Sequence, residues 1–114
     1  MDVTSFLQQV TAQPSSVDFE QTMAVIDTHY EFTATEFRNG SELNAAGANN
    51  GSCKIFAFAK LNSLDVESTL ACFGRFYRED VLKNPAGSDH QNIRNFMELG
   101  WDGIQYFGTA LVAK

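Results

Sequence analysis

The sequence predicts a single, mostly helical α+β domain, with about five helices around a buried central helix and a small two-stranded antiparallel ribbon. Three observations predict this fold. Apolar residues recur at helical spacing through most of the 114-residue chain. Residues 53–61 are apolar on nearly every side, as expected of a helix inside the core. Only two short stretches suit strands.

The size and composition favour one domain over residues 1–114. A chain of 12.6 kDa with 44% hydrophobic residues can enclose one core, and its ten Phe supply large side chains for it. No repeat, low-complexity tract or linker divides the sequence. One compact core is therefore expected.

The first two helices are predicted from apolar stripes. Pro14 ends the first helix after Gln13, and residues 15–18 are typical of a capping box that opens the second. The two stripes are Val3, Phe6, Leu7 and Val10, followed by Phe19, Met23, Ile26 and Tyr30.

The middle of the chain changes pattern twice. Alternation over residues 30–34 predicts a short strand, and Asn39-Gly40 predicts a turn. Residues 41–51 are small or polar and are expected to form a long loop. We expect Ser52 to cap a buried helix over residues 53–61, although a central strand is the alternative for so short an apolar run.

The second half is predicted to hold the longest helix, a last helix and a strand. Asp65 caps a helix over residues 66–81, and residues 88–91 read as a second capping box. The helix that follows should turn Ile93, Phe96 and Met97 inward and end at Gly100. Residues 103–108 suit a strand that pairs with residues 30–37, and residues 109–114 are expected to form a tail.

The charge excludes some classes of partner. A net charge of -6 and a pI near 4.7 argue against nucleic acid, which is bound largely through Lys and Arg. Residues 1–51 hold seven acidic residues and only Arg38, so this half could attract a basic partner. No apolar run approaches the roughly 20 residues needed to cross a bilayer, so no membrane insertion is expected. A secretory signal is not evident.

Cys53 and His90 form the sharpest candidate for catalysis. A thiol in the first turn of a helix is favoured as thiolate by the helix dipole, and an imidazole could stabilise it further. Asp89 or Asn92 could orient the histidine. The competing interpretation is a buried Cys53 with a structural role, since free Cys is among the most buried residue types.

A candidate binding site lies in the loop before the central helix. Backbone amides at a helix start bind carboxylate or phosphate, so Asn44, Asn49, Asn50, Gly51 and Ser52 could form a cradle for a polar ligand. No nucleotide-binding motif accompanies this loop.

Other features add one candidate residue and no cofactor. Trp101 and the aromatic residues after it could line a pocket or a partner surface, or belong to the core. His29 and His90 stand alone and the cysteines lack ligand spacing, so neither a metal nor another cofactor is predicted. Cys53 and Cys72 lie in apolar segments and are expected to be reduced thiols.

Three ordered motifs resemble the HopJ type III effector family: Asn-Asn-Gly-Ser-Cys-Lys-Ile-Phe-Ala-Phe-Ala (49–59), Thr-Leu-x-x-Phe-Gly-x-x-Tyr-Arg (69–78) and Asp-His-Gln-Asn-Ile-Arg-Asn-Phe-Met-Glu-Leu-Gly-Trp (89–101). The resemblance implies a small bacterial protein, named after effectors that plant pathogens inject into host cells. It implies no catalytic mechanism. The location it suggests is the bacterial cytoplasm, or a host cell after type III secretion.

We therefore expect a noncatalytic module that binds a small polar ligand or a protein. The expected site joins the loop from Asn44 to Ser52 with the helix start at Asp89 and His90, with Trp101 as a further candidate. The alternative is a cysteine-dependent hydrolase or transferase that uses Cys53 and His90.

Overall fold

The computed structural model describes all 114 residues and confirms the mostly helical α+β class. Its five α-helices are α1 (Val3–Ala12), α2 (Phe19–His29), α3 (Asn50–Leu61), α4 (Val66–Ala71) and α5 (Gln91–Leu99). A π-helix spans Phe76–Val81, and 3-10 helices span Pro14–Ser16 and Gly100–Gly103. The strands are β1 (Tyr30–Phe32), β2 (Phe37–Asn39), β3 (Glu42–Asn44), β4 (Ile104–Tyr106) and β5 (Leu111–Ala113).

Helix α3 is the buried centre of the fold, as predicted, and the alternative of a central strand is wrong. Cys53 and residues 55–59 are all buried, so most of the circumference of the helix is covered by other elements. This explains why its sequence is apolar on nearly every side. Tyr106 from β4 donates a hydrogen bond to the Cys53 carbonyl (2.6 Å) and ties the sheet to this helix.

The sheets are more extensive than the predicted ribbon. Strands β3, β2 and β4 form one antiparallel sheet in that order, so residues 42–44 are a strand rather than loop. Strand β4 pairs with β2, so it meets the predicted partner segment only at its end, where Tyr106 lies opposite Phe37, and it does not pair with β1. The partner of β1 is β5, which the sequence analysis placed in a tail. These three-residue strands are too short for a period-two pattern to identify them.

The predicted long helix over residues 66–81 is broken into α4 and the π-helix. Gly74 lies between them with φ +61, a conformation that favours glycine. A Cβ at this position would lie 2.6 Å from the backbone nitrogen of Phe19. The close approach to the start of α2 therefore requires glycine, and it interrupts a helix that the apolar pattern alone would continue.

The helix starts differ from several predicted caps. Asp65 caps α4 as expected, with its side chain accepting from the Ser68 N–H. Neither capping box forms: α2 begins after Asp18, and α5 begins after His90. Helix α3 begins at Asn50, which places Ser52 inside its first turn. Asn49 and His90 precede their helices in the left-handed conformation (φ 55 and 50), and neither makes a side-chain cap.

An aromatic cluster at Phe56 of α3 fixes α5 against the core. Phe73 and Phe96 are both buried, as predicted, with ring centroids 5.5 and 4.8 Å from that of Phe56. Phe73 lies in the turn after α4 rather than on a helix. The prediction that Met97 points inward is wrong, because Met97 is 41% exposed. Helix α5 buries Asn92, Ile93 and Phe96, and Met97 lies beyond this face.

Candidate functional site

A cavity of about 480 Å³ lies between the starts of α3 and α5. Four residues of the predicted binding site line it, namely Asn49, Gly51, Ser52 and His90, together with Asn92. These residues come from two distant parts of the sequence. The structure thus brings the loop before α3 and the helix start at His90 to one cavity.

The first turn of α3 supplies unpaired backbone donors beside the cavity. The first bonded amide is that of Cys53, which donates to the Asn49 carbonyl (3.0 Å). The N–H groups of Asn50, Gly51 and Ser52 have no partner within the protein, as is usual for the first turn of a helix. They can donate to a ligand or to water.

The start of α5 has the same arrangement. The amides of Ile93 and Arg94 both donate to the His90 carbonyl, at 3.0 and 3.1 Å. The N–H groups of Gln91 and Asn92 have no partner within the protein. Five backbone N–H groups at the two helix starts are therefore free, and four of them belong to residues that line the cavity, namely Gly51, Ser52, Gln91 and Asn92.

His90 is held in place by the π-helix. Its Nε2 lies 3.0 Å from Asp80 Oδ2, and its ring stacks on Phe76 with centroids 5.1 Å apart. Residues 76 and 80 lie on the same side of that helix, so both reach the imidazole. The neighbouring Asp89 accepts from Arg94 (2.6 Å), and this hydrogen bond lowers the pKa of the Asp89 carboxyl. Asp89 adjoins the cavity in sequence but does not line it.

The apolar wall of the cavity is aromatic. Phe19, Phe73 and Phe76 contribute to it, and the rings of Phe19 and Phe76 meet edge to face with centroids 4.9 Å apart. The sequence pattern does not mark these residues as part of a site, because an aromatic side chain in an apolar stripe looks the same whether it fills the core or borders a cavity. The polar lining residues Glu42, Ser88 and Gln91 were also missed.

A cluster of asparagines lies behind the cavity. Asn44 is buried, and its Oδ1 accepts from Asn49 (2.7 Å) and from Asn92 (2.9 Å). Asn39 is fully buried and donates to the carbonyl and the side-chain oxygen of Asn92, at 2.8 and 3.1 Å. Asn44 was predicted to bind ligand directly, but the structure places it behind the wall. Asn39 was predicted only as a turn residue.

Cys53 lies in the core rather than at the cavity surface. Its side chain is 1% exposed, and Sγ donates to the Thr35 carbonyl at 3.5 Å. Burial raises the pKa of this thiol, which opposes formation of a thiolate. No hydrogen bond joins Cys53 to His90, whose ring is paired with Asp80. The two residues thus lack the coupling that nucleophilic catalysis requires.

The remaining predicted residues lie apart from the cavity lining. Trp101 packs edge-on against Phe96 (5.1 Å) and donates from Nε1 to the Leu64 carbonyl (3.0 Å). Asn50 is exposed at the start of α3. Trp101 is therefore anchored in the fold, and Asn50 lies between the lining residues Asn49 and Gly51 in sequence without lining the cavity itself.

The structure contains neither a cluster of metal ligands nor a helix suited to cross a membrane. No group of three or more His, Cys, Asp and Glu side chains is arranged to hold a metal ion. None of the helices has both the length and the apolar character needed to cross a membrane.

Comparison with known proteins identifies the family. The model of the HopJ type III effector proteins matches residues 3–111, which is nearly the whole chain. The chain belongs to the HopJ family. The HopJ-like motifs noted in the sequence fall along α3, around Gly74 and along α5, and each of the three contributes residues to the cavity lining.

A solved structure with the same fold supports this assignment. The crystal structure described as "unknown function protein VPA0580" has 59% sequence identity and a TM-score of 0.98, covering 100% of this HopJ chain and 95% of its own chain. The search of curated proteins found no match. The comparisons therefore establish family and fold and assign no activity.

Proposed function

We propose that this HopJ-family protein is a noncatalytic module that binds a small polar ligand in the cavity between α3 and α5. One observation carries the proposal: two helix starts with unpaired N–H groups face a cavity that also has an aromatic wall. Four of the twelve lining residues are hydrophobic, so the cavity is more polar than a typical small-molecule site and is suited to a polar ligand. The cavity volume of about 480 Å³ lies within the usual range of such sites.

The lining indicates the chemistry of the ligand. Backbone N–H groups at helix starts donate to carboxylate or phosphate oxygens, and the helix dipoles favour negative charge there. Phe19 and Phe76 offer aromatic surface to an apolar part of the same molecule. Glu42 also lines the cavity and would disfavour a highly charged anion. A small molecule with an acceptor group and an apolar ring or chain fits these features best.

Family membership supports a further proposal about where the protein acts. The name of the family supports a role as a type III effector delivered to a host cell. A role in the bacterial cytoplasm is the alternative, and ligand binding is compatible with either. The two locations can be distinguished with a tagged protein expressed in a secretion-competent strain and in a secretion-deficient strain. Only an effector should reach the culture medium of the first strain and not that of the second.

Ligand-observed NMR with four probes that share one ring tests the binding proposal. Benzoate and phenyl phosphate carry anionic acceptors, benzyl alcohol is neutral, and benzylamine is a cation. We expect benzoate, a monoanion, to give the strongest saturation transfer, because free amides belong to lining residues, and phenyl phosphate to give a weaker one because Glu42 disfavours its second charge. Binding of benzylamine alone would show that Glu42 dominates and would contradict the proposed ligand chemistry.

A matched pair of variants locates any binding. Ser52 is the third residue of α3 and lines the cavity, whereas Ser5 is the third residue of α1 and does not. Ser52→Phe should fill the cavity and abolish binding, and Ser5→Phe should leave it unchanged. Failure of every probe to bind the wild type, or equal binding by both variants, would contradict the proposed site.

A further inference from the structure

We propose that Asn44 is the positioning residue of the cavity: a buried side chain that holds the start of α3 and the start of α5 in register without touching the ligand. This inference rests on the proposed function only for its effect on binding. The hydrogen bonds by which Asn44 links the two helices are a property of the protein without a ligand. Asn44 is the last residue of β3, is 2% exposed, and does not line the cavity.

The hydrogen bonds of Asn44 join the two helix starts. Its Oδ1 accepts from Nδ2 of Asn49, the residue that precedes α3, at 2.7 Å. The same oxygen accepts from Nδ2 of Asn92 in the first turn of α5 at 2.9 Å. No hydrogen bond joins Asn49 directly to Asn92. Asn44 is therefore the shared partner through which the two walls of the cavity are linked.

The pairing with Asn92 is reciprocal. Asn44 Nδ2 donates back to Asn92 Oδ1 at 3.2 Å, so two amides exchange two hydrogen bonds. Asn39 donates to the same Asn92 oxygen at 3.1 Å. The three side chains are at most 6% exposed, and loss of one partner in such a buried cluster leaves the others unsatisfied. An amide with one donor group and one acceptor group is needed at Asn44, and neither an apolar nor an acidic side chain supplies both.

This linkage matters because Asn49 and His90 precede their helices in the left-handed conformation without side-chain caps. Such starts lack the local hydrogen bond that a Ser or Asp cap would provide. Asn44 supplies a tertiary restraint in place of the local one. The free amides of both helices then keep fixed positions relative to each other, as a preorganised binding site requires.

Native-state hydrogen exchange tests the positioning role without a ligand. The reporters are the first bonded amides of each helix, those of Cys53, Ile93 and Arg94. Asn44→Ala should lower their protection by about tenfold beyond the loss shared by the whole protein, the order expected for losing one or more buried hydrogen bonds. Asn62→Ala is the matched control, since Asn62 bonds the Phe58 carbonyl at the other end of α3 (2.9 Å). Asn62→Ala should lower the protection of these three amides no more than that of the other amides.

A second variant keeps the proposal testable if Asn44→Ala does not fold. Asn49→Gly retains the left-handed backbone and removes only the side chain that reaches Asn44. This variant should lower the exchange protection of the Cys53 amide and leave the amides of Ile93 and Arg94 protected, because the Asn44–Asn92 pair remains. Equal loss of protection at all three amides in Asn49→Gly would contradict the positioning role of Asn44. A uniform loss of protection across the protein in Asn44→Ala would contradict it as well.

The effect on binding is measured with benzoate. Asn44→Ala should weaken benzoate binding by about tenfold although Asn44 does not line the cavity, since each displaced donor lowers affinity by this order. Unchanged affinity would overturn the claim that Asn44 positions the binding groups. If the wild type binds no benzoate, the proposed ligand chemistry is wrong, and the exchange experiment still decides whether Asn44 links the helices.

Discussion

The ring of Phe19 lies directly against Gly51, at the point where α2 meets the first turn of α3. A Cβ at Gly51 would lie 2.8 Å from Cζ of Phe19, closer than side-chain atoms normally approach. Both residues line the cavity. The glycine therefore lets an aromatic ring approach the helix start closely, next to the free amides.

Gly51→Ala should destabilise the protein despite the better helix propensity of alanine. Alanine favours a helix by about 1 kcal/mol over glycine, but the added methyl group must displace the Phe19 ring. Overpacking of this kind typically costs about 1 to 3 kcal/mol, which denaturant unfolding can measure. In a Phe19→Ala background the same change should be neutral or stabilising. Stabilisation by Gly51→Ala in the wild type would contradict the close contact.

Phe73→Ala and Phe96→Ala should each lower the free energy of unfolding by about 3 to 5 kcal/mol, because both rings are buried around Phe56. Phe107 is 49% exposed and provides the control, for which a loss below about 1 kcal/mol is expected. Losses as small as this at Phe73 and Phe96 would show that the aromatic cluster does not support the core.

Cys53 should react slowly with iodoacetamide at pH 7 in the native protein. Its thiol is buried and its pKa is raised by burial, so both access and thiolate formation are restricted. His90→Ala should not change the rate, since His90 pairs with Asp80. Mass spectrometry of timed samples gives both rates. Rapid alkylation that His90→Ala abolishes in a folded protein would favour the hydrolase or transferase alternative.

Cys72 should make stability fall at alkaline pH. Burial raises the pKa of its thiol to about 12, above the value near 8.5 of a free thiol. The unfolded chain releases this proton first, so stability is complete below about pH 8.5 and is lost as pH rises toward the folded-state pKa. Between pH 7 and pH 10 the wild type should lose about 1 to 2 kcal/mol more than Cys72→Ala in urea unfolding. Equal losses of unfolding free energy in the wild type and in Cys72→Ala would contradict the burial of the Cys72 thiol.

The sequence was sufficient for features that depend on local patterns. The apolar run of α3, the cap at Asp65 and the end of α5 at Gly100 are each encoded by adjacent residues. The loop before α3 and the helix start at His90 were also named from the sequence, as a candidate binding site that stays a prediction. Free amides at a helix start are a local property, so this part of the site can be inferred without tertiary information.

Features that depend on tertiary contacts could not be predicted. Gly74 breaks a helix because it meets the backbone of α2, which no local pattern reveals. Strand β5 forms because β1 offers it an edge, and Asn44 is buried because Asn92 and Asn49 satisfy its amide. The aromatic wall was missed for the same reason, since burial and cavity lining have identical sequence patterns.

The most direct test of the cavity as a binding site is a titration of ¹⁵N-labelled protein with benzoate, followed at the amides of Asn50, Gly51, Ser52, Gln91 and Asn92. Binding in the cavity predicts saturable shifts concentrated at these five signals in the wild type and in Ser5→Phe, and none in Ser52→Phe. Saturable shifts located elsewhere, or the absence of any shift at these amides, would contradict it.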